Sequence, residues 1–493
     1  MTPTEPILAG FYPDPSICRV GETYYLITSS FEYLPGIPIH TSTDLVEWHF
    51  VANALTRTGQ IAEHGGYPSA GIFAPTIRHH AGRFWIIGTD VNGIPLGQGH
   101  FLIHATDAAG PWSDPVYISG AMGIDPDIAW DREGTAHVTW CSLNPDEPSI
   151  LSAPVDTETG AFIAPPRQLW QGTGLSFPEG PHLYQIDDWW YLLLAEGGTE
   201  RGHAVTIARS PSLDDPFDAA PSNPILSHRS LPHEVQNTGH ADLVELPDGT
   251  WAAVHLGVRP RGQTPGFHVN GRESFVVGID WVDGWPVPDE TRFTVPPTDR
   301  SFTDRFDATA LHGRWLGVGR FPETFARPAP EGGLVIDAES RPGRAMLAAR
   351  ATDAVWAAST RFDAATGVGR FLVRIDDTHW YGLTYDGSTV EATIAIGPIE
   401  HSVGQWSVSP GSVPTLLMRA KAPRPLPHGA TSEPDLVELA LESEGTEHSF
   451  GEFDGRYLST EVAGGFTGRV FGVQALSGRI RVDEIRYAAE TSL

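Results

Sequence analysis

The sequence predicts an all-β protein: a five-bladed β-propeller over residues 1–296, followed by a β-sandwich over residues 297–493. Three observations carry this expectation. A hairpin-like unit recurs five times before residue 300. Few segments show a 3.6-residue apolar period, and Gly 53, Pro 42 and Trp 15 suit a chain of many turns and aromatic contacts. After about Ser301 the recurrence stops and short alternating segments take over. A chain of 493 residues is also too long for one core.

The repeat begins with DPSICRVGETYYLITSS at Asp14. It returns as APTIRHHAGRFWIIGTD at Ala74, DPDIAWDREGTAHVTWC at Asp125, GPHLYQIDDWWYLLLAE at Gly180 and HADLVELPDGTWAAVHL at His240. Each copy has a short apolar run, a turn rich in Gly or Asp, and a second apolar run with an aromatic residue, which is hairpin chemistry. The second positions, Pro15, Pro75, Pro126, Pro181 and Ala241, are 60, 51, 55 and 60 residues apart. Units of that length hold about four short strands each, as propeller blades do.

In a propeller the inner strands of all blades begin near one axis, so equivalent repeat positions converge. Those positions hold Asp14, Ala74, Asp125, Gly180 and His240, with Glu179 one residue before Gly180. Singly, an Asp before Pro suits a turn. As a set the acids are harder to explain that way, because gathering like charges costs energy that folds tolerate mainly at sites. Glycoside hydrolysis needs two carboxyl groups about the scissile bond, one protonated as an acid and one to activate water or attack, and a third carboxylate helps the acid keep its proton. Phe11, Tyr12, Phe31, Tyr33, Phe73 and Phe177 lie near these motifs. They suit either sugar stacking or core packing between blades.

Pro286, Pro288, Pro296 and Pro297 mark the linker. The later segments GLVIDAES, AVWAASTRF, GRFLVRIDD, HWYGLTYD, VEATIAIG, DLVELALESE and RIRVDEIRYA read as antiparallel strands of a sandwich.

Net charge is −29, which argues against nucleic acid and acidic membrane surfaces as partners and suits a neutral substrate. Lys421 is the sole lysine. Cys18 and Cys141 are too few for a disulfide scaffold, and no cysteine spacing suggests a metal site. The start, MTPTEPILAG, lacks a basic, apolar leader, and no window approaches membrane-spanning length, so the cytoplasm is the expected location.

Seven stretches in order, EPILAGFYPDPS, SSFEYLPGIPIHTSTDLVEW, GIFAPTIRHHAGRFWII, IDPDIAWDREG, FPEGPHLYQIDDWWYLLLAEGG, NTGHADLVELPDGTWAAVHL and GRESFVVGIDWVDGWPV, resemble glycoside hydrolase family 43, in particular its two-domain β-xylosidase and α-L-arabinofuranosidase group. The resemblance runs along almost the whole chain and implies a concanavalin-like second domain. It implies Asp14 as the base that activates water, Glu179 as the acid, and Asp125 as the carboxylate that orients the acid and raises its pKa. His240 resembles the family's axial histidine, which holds water or a metal ion. Arg272 resembles an arginine that contacts sugar hydroxyls and an acid, Phe31 a pocket wall, and Phe466 a phenylalanine sent from the second domain to close the pocket. No cofactor is expected to be required; calcium or another ion at His240 is left open, as is a homo-oligomer. Relatives tend to carry Trp at Phe73, so that part of the pocket is expected to be looser. Asp127 stands where relatives often have a small residue, and reads as strand-edge polarity. The resemblance also implies inversion, with the carboxyls about 6.5–9.5 Å apart.

These readings lead to an exo-acting β-1,4-xylosidase taking short oligosaccharides. Two alternatives stand beside it: α-L-arabinofuranosidase as the main activity, and a non-catalytic carbohydrate-binding protein on a hydrolase scaffold. Joint retention of Asp14, Asp125 and Glu179 speaks against the second.

Overall fold

The computed structural model describes residues 5–144, 149–262, 266–338, 345–423 and 434–489. The five predicted units are five four-stranded antiparallel sheets, each in chain order. Their inner strands are Ser16–Val20, Ile72–His80, Gly123–Trp130, Glu179–Ile186 and Gln236–Glu245. Each inner strand lies against its neighbours, and the first meets the fifth to close the ring. The N-terminal segment helps the closure, since Ile7 and Leu8 both donate backbone N–H groups to the Ser274 carbonyl in the fifth blade, at 2.9 and 3.4 Å.

Five apolar cores fill the five gaps between blades. Ile27, Ile39, Ile77 and Ile86 pack between the first and second blades, and Trp85, Ile87, Val138 and Trp140 between the second and third. Leu183, Leu192 and Leu194 serve the next gap. Tyr191, Leu193 and Val277 fill the fourth, and Leu26, Val244 and Val254 the last. Neighbouring residues of one strand therefore face different gaps. A strand covered on both sides reads as a continuous apolar run, which is why FWII and YLLLA do not alternate.

At the top of the inner strands the register slips at Phe73/Thr76, Ile124/Asp127, Glu179/His182 and Gly239/Asp242. These bulges re-aim the backbone toward the axis. Asp14, Asp125, Gly180 and His240 all sit in the left-handed region, with φ of 55°, 53°, 56° and 46°. For the three non-glycine residues this conformation costs on the order of 1–3 kcal/mol each. Gly180 could not be otherwise, as a Cβ there would lie 2.9 Å from the His240 ring.

Two residues further along each copy lies a second ring, Ser16, Thr76, Asp127, His182 and Asp242, all buried. Into its centre reaches Arg78, whose guanidinium is 2.8 Å from Asp127 and 2.7 Å from Asp242. Arg78 also donates to His182 Nδ1 at 3.0 Å. The Ser16 and Tyr184 hydroxyls donate to Asp242. Burial alone would raise the Asp242 carboxyl; Arg78 and then His182 outweigh it and hold it at about 2. Asp127 is thus not strand-edge polarity: it is fully buried and is half of the counter-charge that lets a cation sit on the axis. Asp127→Ala would leave Arg78 short of that charge and is expected to destabilise the fold by about 3–5 kcal/mol, read from denaturant unfolding.

The second domain is a sandwich whose thirteen strands, joined by one short strand of the propeller, form one hydrogen-bonded system among the described residues. Its spine is the pairing of two long strands, Trp356–Arg374 and Val470–Ala489. Seven strands were not expected from the sequence: Phe302–Asp304, Leu316–Val318, Ala326–Pro328, Ala345–Arg350, Ile399–Ser407, Thr415–Lys421 and Thr446–Asp454. The two domains are sewn together. Tyr33–Leu34, a two-residue strand of the propeller, pairs with Leu316–Val318 of the sandwich. Phe11 and Tyr33 are buried in one core with Leu316, Met346, Leu372 and Trp380. No helix among the described residues is long and apolar enough to cross a membrane.

Candidate active site

Asp14, Asp125, Glu179 and His240 line a single cavity of about 380 Å³ at one end of the axis, together with Phe31, Phe73, Phe177, Arg272 and Phe466. The structure therefore brings together every site residue expected from the sequence. They come from all five blades and from the second domain.

The acids sit in different surroundings. Asp14 is 5% exposed. The Ser29 hydroxyl donates to its Oδ2 at 2.6 Å, and Arg272 Nη1 to its Oδ1 at 2.9 Å. His240 Nδ1 is 3.4 Å from the same Oδ1. Burial alone would raise the Asp14 carboxyl, but Arg272, then His240 and Ser29, overcome it and hold Asp14 below the ordinary carboxylate range. Asp14 is ionised at neutral pH. Glu179 has no such cation at hand. Burial, then the Asp14 charge, pushes it up to about 7 against a weaker pull from Arg272. Asp125 is also driven well up, by burial first and by Glu179 and Asp14 next. The Gly180 N–H donates to its Oδ2 at 3.2 Å, which fixes it beside the start of the Glu179 strand. Asp125 and Glu179 form a coupled pair that holds a proton where isolated carboxyls would lose it. Burial keeps the His240 imidazole neutral, with its pKa near 4.

Arg272 organises the other wall. Besides Asp14 it donates to Thr199 Oγ1 at 3.0 Å, and its guanidinium lies 5.6 Å from the Phe31 ring centre and 5.4 Å from that of Phe466. Phe466 follows the short helix Thr460–Ala463 of the sandwich, and its N–H donates to Ser69 Oγ of the propeller at 2.8 Å. Its ring stacks on Phe31 at 5.9 Å and meets Phe73 edge-on at 5.8 Å. This ring is 36% exposed, so it is a pocket wall and not a core residue. Phe466→Ala is expected to raise KM for a disaccharide about 10-fold with a smaller change in kcat, from steady-state kinetics.

Sequence reasoning missed several residues here. Ser29 positions Asp14 through a hydroxyl 15 residues away, with no motif to flag it. Gly197, Gly198, Thr199 and Glu200 line the cavity from a loop after the fourth blade's second strand. Phe177, one of the aromatics near the motifs that suited either sugar stacking or core packing, is 70% exposed with φ 52°, at the rim. Phe11 and Tyr33 are core residues, but between the two domains instead of between blades.

The axis does not supply a calcium cage. Calcium takes six to eight oxygens. Here Asp127 and Asp242 are committed to Arg78, and Asp14 to Arg272. His240 is left to offer one imidazole, a poor calcium ligand.

Residues 3–286 match the model of the glycosyl hydrolases family 43, and residues 303–485 match the β-xylosidase C-terminal concanavalin A-like domain. The chain is 45% identical over 285 residues to a non-reducing end α-L-arabinofuranosidase of Bacteroides ovatus, covering 57% of this chain and 52% of that protein. It is 40% identical over 346 residues to a xylosidase/arabinosidase of Butyrivibrio fibrisolvens, covering 65% of each. These matches span about half to two-thirds of the relatives' length. The crystal structure of a xylan β-1,4-xylosidase from Bacillus halodurans C-125 superposes with a TM-score of 0.88 at 27% identity, over 99% of this chain and 100% of that one. A five-bladed propeller with acids gathered at its axis, joined to a concanavalin-like sandwich, is thereby accounted for: the chain belongs to glycosyl hydrolases family 43.

Proposed function

We propose that the protein is an inverting, exo-acting glycoside hydrolase that releases xylose from the non-reducing end of short β-1,4-xylo-oligosaccharides. One observation carries this reading. Two carboxyl groups face the same cavity with their acidities pushed in opposite directions, Asp14 down and Glu179 up to about 7. Such a split assigns base and acid at one pH.

In the reaction, a water beside Asp14 loses a proton to it as its oxygen attacks the anomeric carbon. Glu179 gives its proton to the glycosidic oxygen while that C–O bond breaks. Burial and the Asp14 charge keep Glu179 protonated until the substrate arrives, with Asp125 beside it as the orienting carboxyl. Arg272 holds Asp14 ionised and in place. The aromatic walls, with Phe466 of the second domain covering one side, favour a terminal sugar over a mid-chain segment.

A second reading is supported by the arabinofuranosidase name of the 45%-identical relative. An arabinofuranose presents a similar five-carbon face to the same acids. Assays of 4-nitrophenyl β-D-xyloside and α-L-arabinofuranoside side by side, with xylobiose, separate the two. Faster xyloside and xylobiose cleavage is expected. Binding of xylobiose with no turnover of any of the three would leave the carbohydrate-binding alternative. Proton NMR of the first-formed sugar should show the α-anomer of xylose; the β-anomer would rule out inversion.

A further inference from the structure

We propose that His228, His233 and Glu290 form a binding site for a divalent transition metal of the zinc class, separate from the sugar cavity. His228 and His233 lie in the loop that leads into the fifth blade's inner strand, Gln236–Glu245, and Glu290 follows the last strand of that blade, Trp285–Asp289. The site would tie the two ends of one blade together where the chain departs for the sandwich.

The geometry is that of a ligand set. One atom from each side chain lies within 4.8 Å of the other two, and among the described residues no other three such groups gather this closely. His228 Nε2 is 2.8 Å and His233 Nε2 is 3.7 Å from Glu290 Oε2. A tetrahedral ion with bonds of about 2.0–2.1 Å needs ligand atoms roughly 3.3–3.4 Å apart, so small side-chain shifts would seat it.

The hydrogen bonding points the same way. His228 Nδ1 is 2.8 Å from the Val235 carbonyl, which can only accept. That nitrogen therefore carries the proton, and its carbonyl partner fixes the ring as second-shell partners do for metal ligands. Nε2 then faces the Glu290 carboxylate at 2.8 Å, a contact that either a second ring proton or a metal ion in its place would satisfy. His233 Nδ1 lies 3.1 Å from both the carbonyl and the N–H of Val235, and its buried Nε2 makes no hydrogen bond; an ion on Nε2 would select the tautomer that donates to the carbonyl. Two imidazoles and one carboxylate suit zinc, cobalt or nickel in preference to calcium or magnesium. The His233 and Glu290 side chains are 17% and 32% exposed, leaving a route for the ion and room for water as a fourth ligand.

The site also connects to the catalytic side. The His228 N–H donates to Thr238 Oγ1 at 3.2 Å, two residues before His240. A metal here would act as a structural staple for the strand that carries His240, with no part in the chemistry.

The test uses the full chain, stripped with a chelator and titrated with Zn²⁺ by calorimetry, with Co²⁺ as a visible probe. One equivalent is expected, with a Tm rise of about 2–5 °C near saturation and the intense bands of tetrahedral cobalt. His233→Ala and Glu290→Gln should lose the tight equivalent, the Tm rise and the bands, while His240→Asn should keep all three. His233 is partly exposed, so its variant should fold if Glu290→Gln does not. A wild type that takes up no equivalent, or a His233→Ala variant that binds as the wild type does, overturns the proposal.

Discussion

Asp14→Ala is expected to lower kcat by about 10³–10⁴-fold on xylobiose and on 4-nitrophenyl β-D-xyloside alike. Both substrates need an activated water, and Asp14 is the one carboxylate in the cavity held ionised by an adjacent guanidinium. The loss should fall on kcat more than on KM, since Asp14 meets the water and not the bulk of the sugar. Asp14→Asn keeps the size and the contact with Ser29 but not the charge, and should be nearly as inactive. An Asp14→Ala enzyme with wild-type turnover on either substrate would show that another group activates water. Circular dichroism and the melting curve should accompany the kinetics, because the variant also leaves Arg272 without its partner.

Glu179→Gln should behave differently on the two substrates. Turnover of xylobiose, whose leaving alcohol needs a proton, is expected to fall about 10³-fold; that of the 4-nitrophenyl glycoside, with its stable leaving phenolate, about 10-fold or less. The pH profile supplies an independent readout. The acid must be protonated and Glu179 is pushed up to about 7, so wild-type kcat/KM on xylobiose should decline as pH rises through about 7. The base must be ionised and Asp14 lies below its ordinary 3.8, so the acidic limb should fall below about pH 3.8. Glu179→Gln should lose the alkaline limb and keep the acidic one. Equal losses on both substrates, or an alkaline limb that survives the substitution, would remove Glu179 from the acid's role.

How much of this could be read from the sequence depends on where each signal lives. The blades were legible because the same turn begins every inner strand, so Asp14, Asp125, Gly180 and His240 share a repeat position that the fold turns into a place. Asp127 was misread because its role depends on Arg78, 49 residues away, and Arg78 itself breaks the repeat pattern. The strand Ile399–Ser407 went unseen because it is mostly exposed and lacks an apolar face. Thr199 and Glu200 reach the cavity from a loop whose path no periodicity encodes. Phe466 could be suspected only by resemblance; its place depends on how a second domain docks, which local pattern does not record.

That docking has a consequence for anyone who would treat the propeller as a portable catalyst. Phe11 lies three residues before Asp14, and Tyr33 two after Phe31, yet both are roofed by sandwich side chains. A fragment ending near residue 296 would bare a greasy scar immediately behind its own nucleophile-activating loop, and would lose one side of its sugar well in the same cut. The C-terminal half is therefore less an accessory than the mould in which the reactive half is cast.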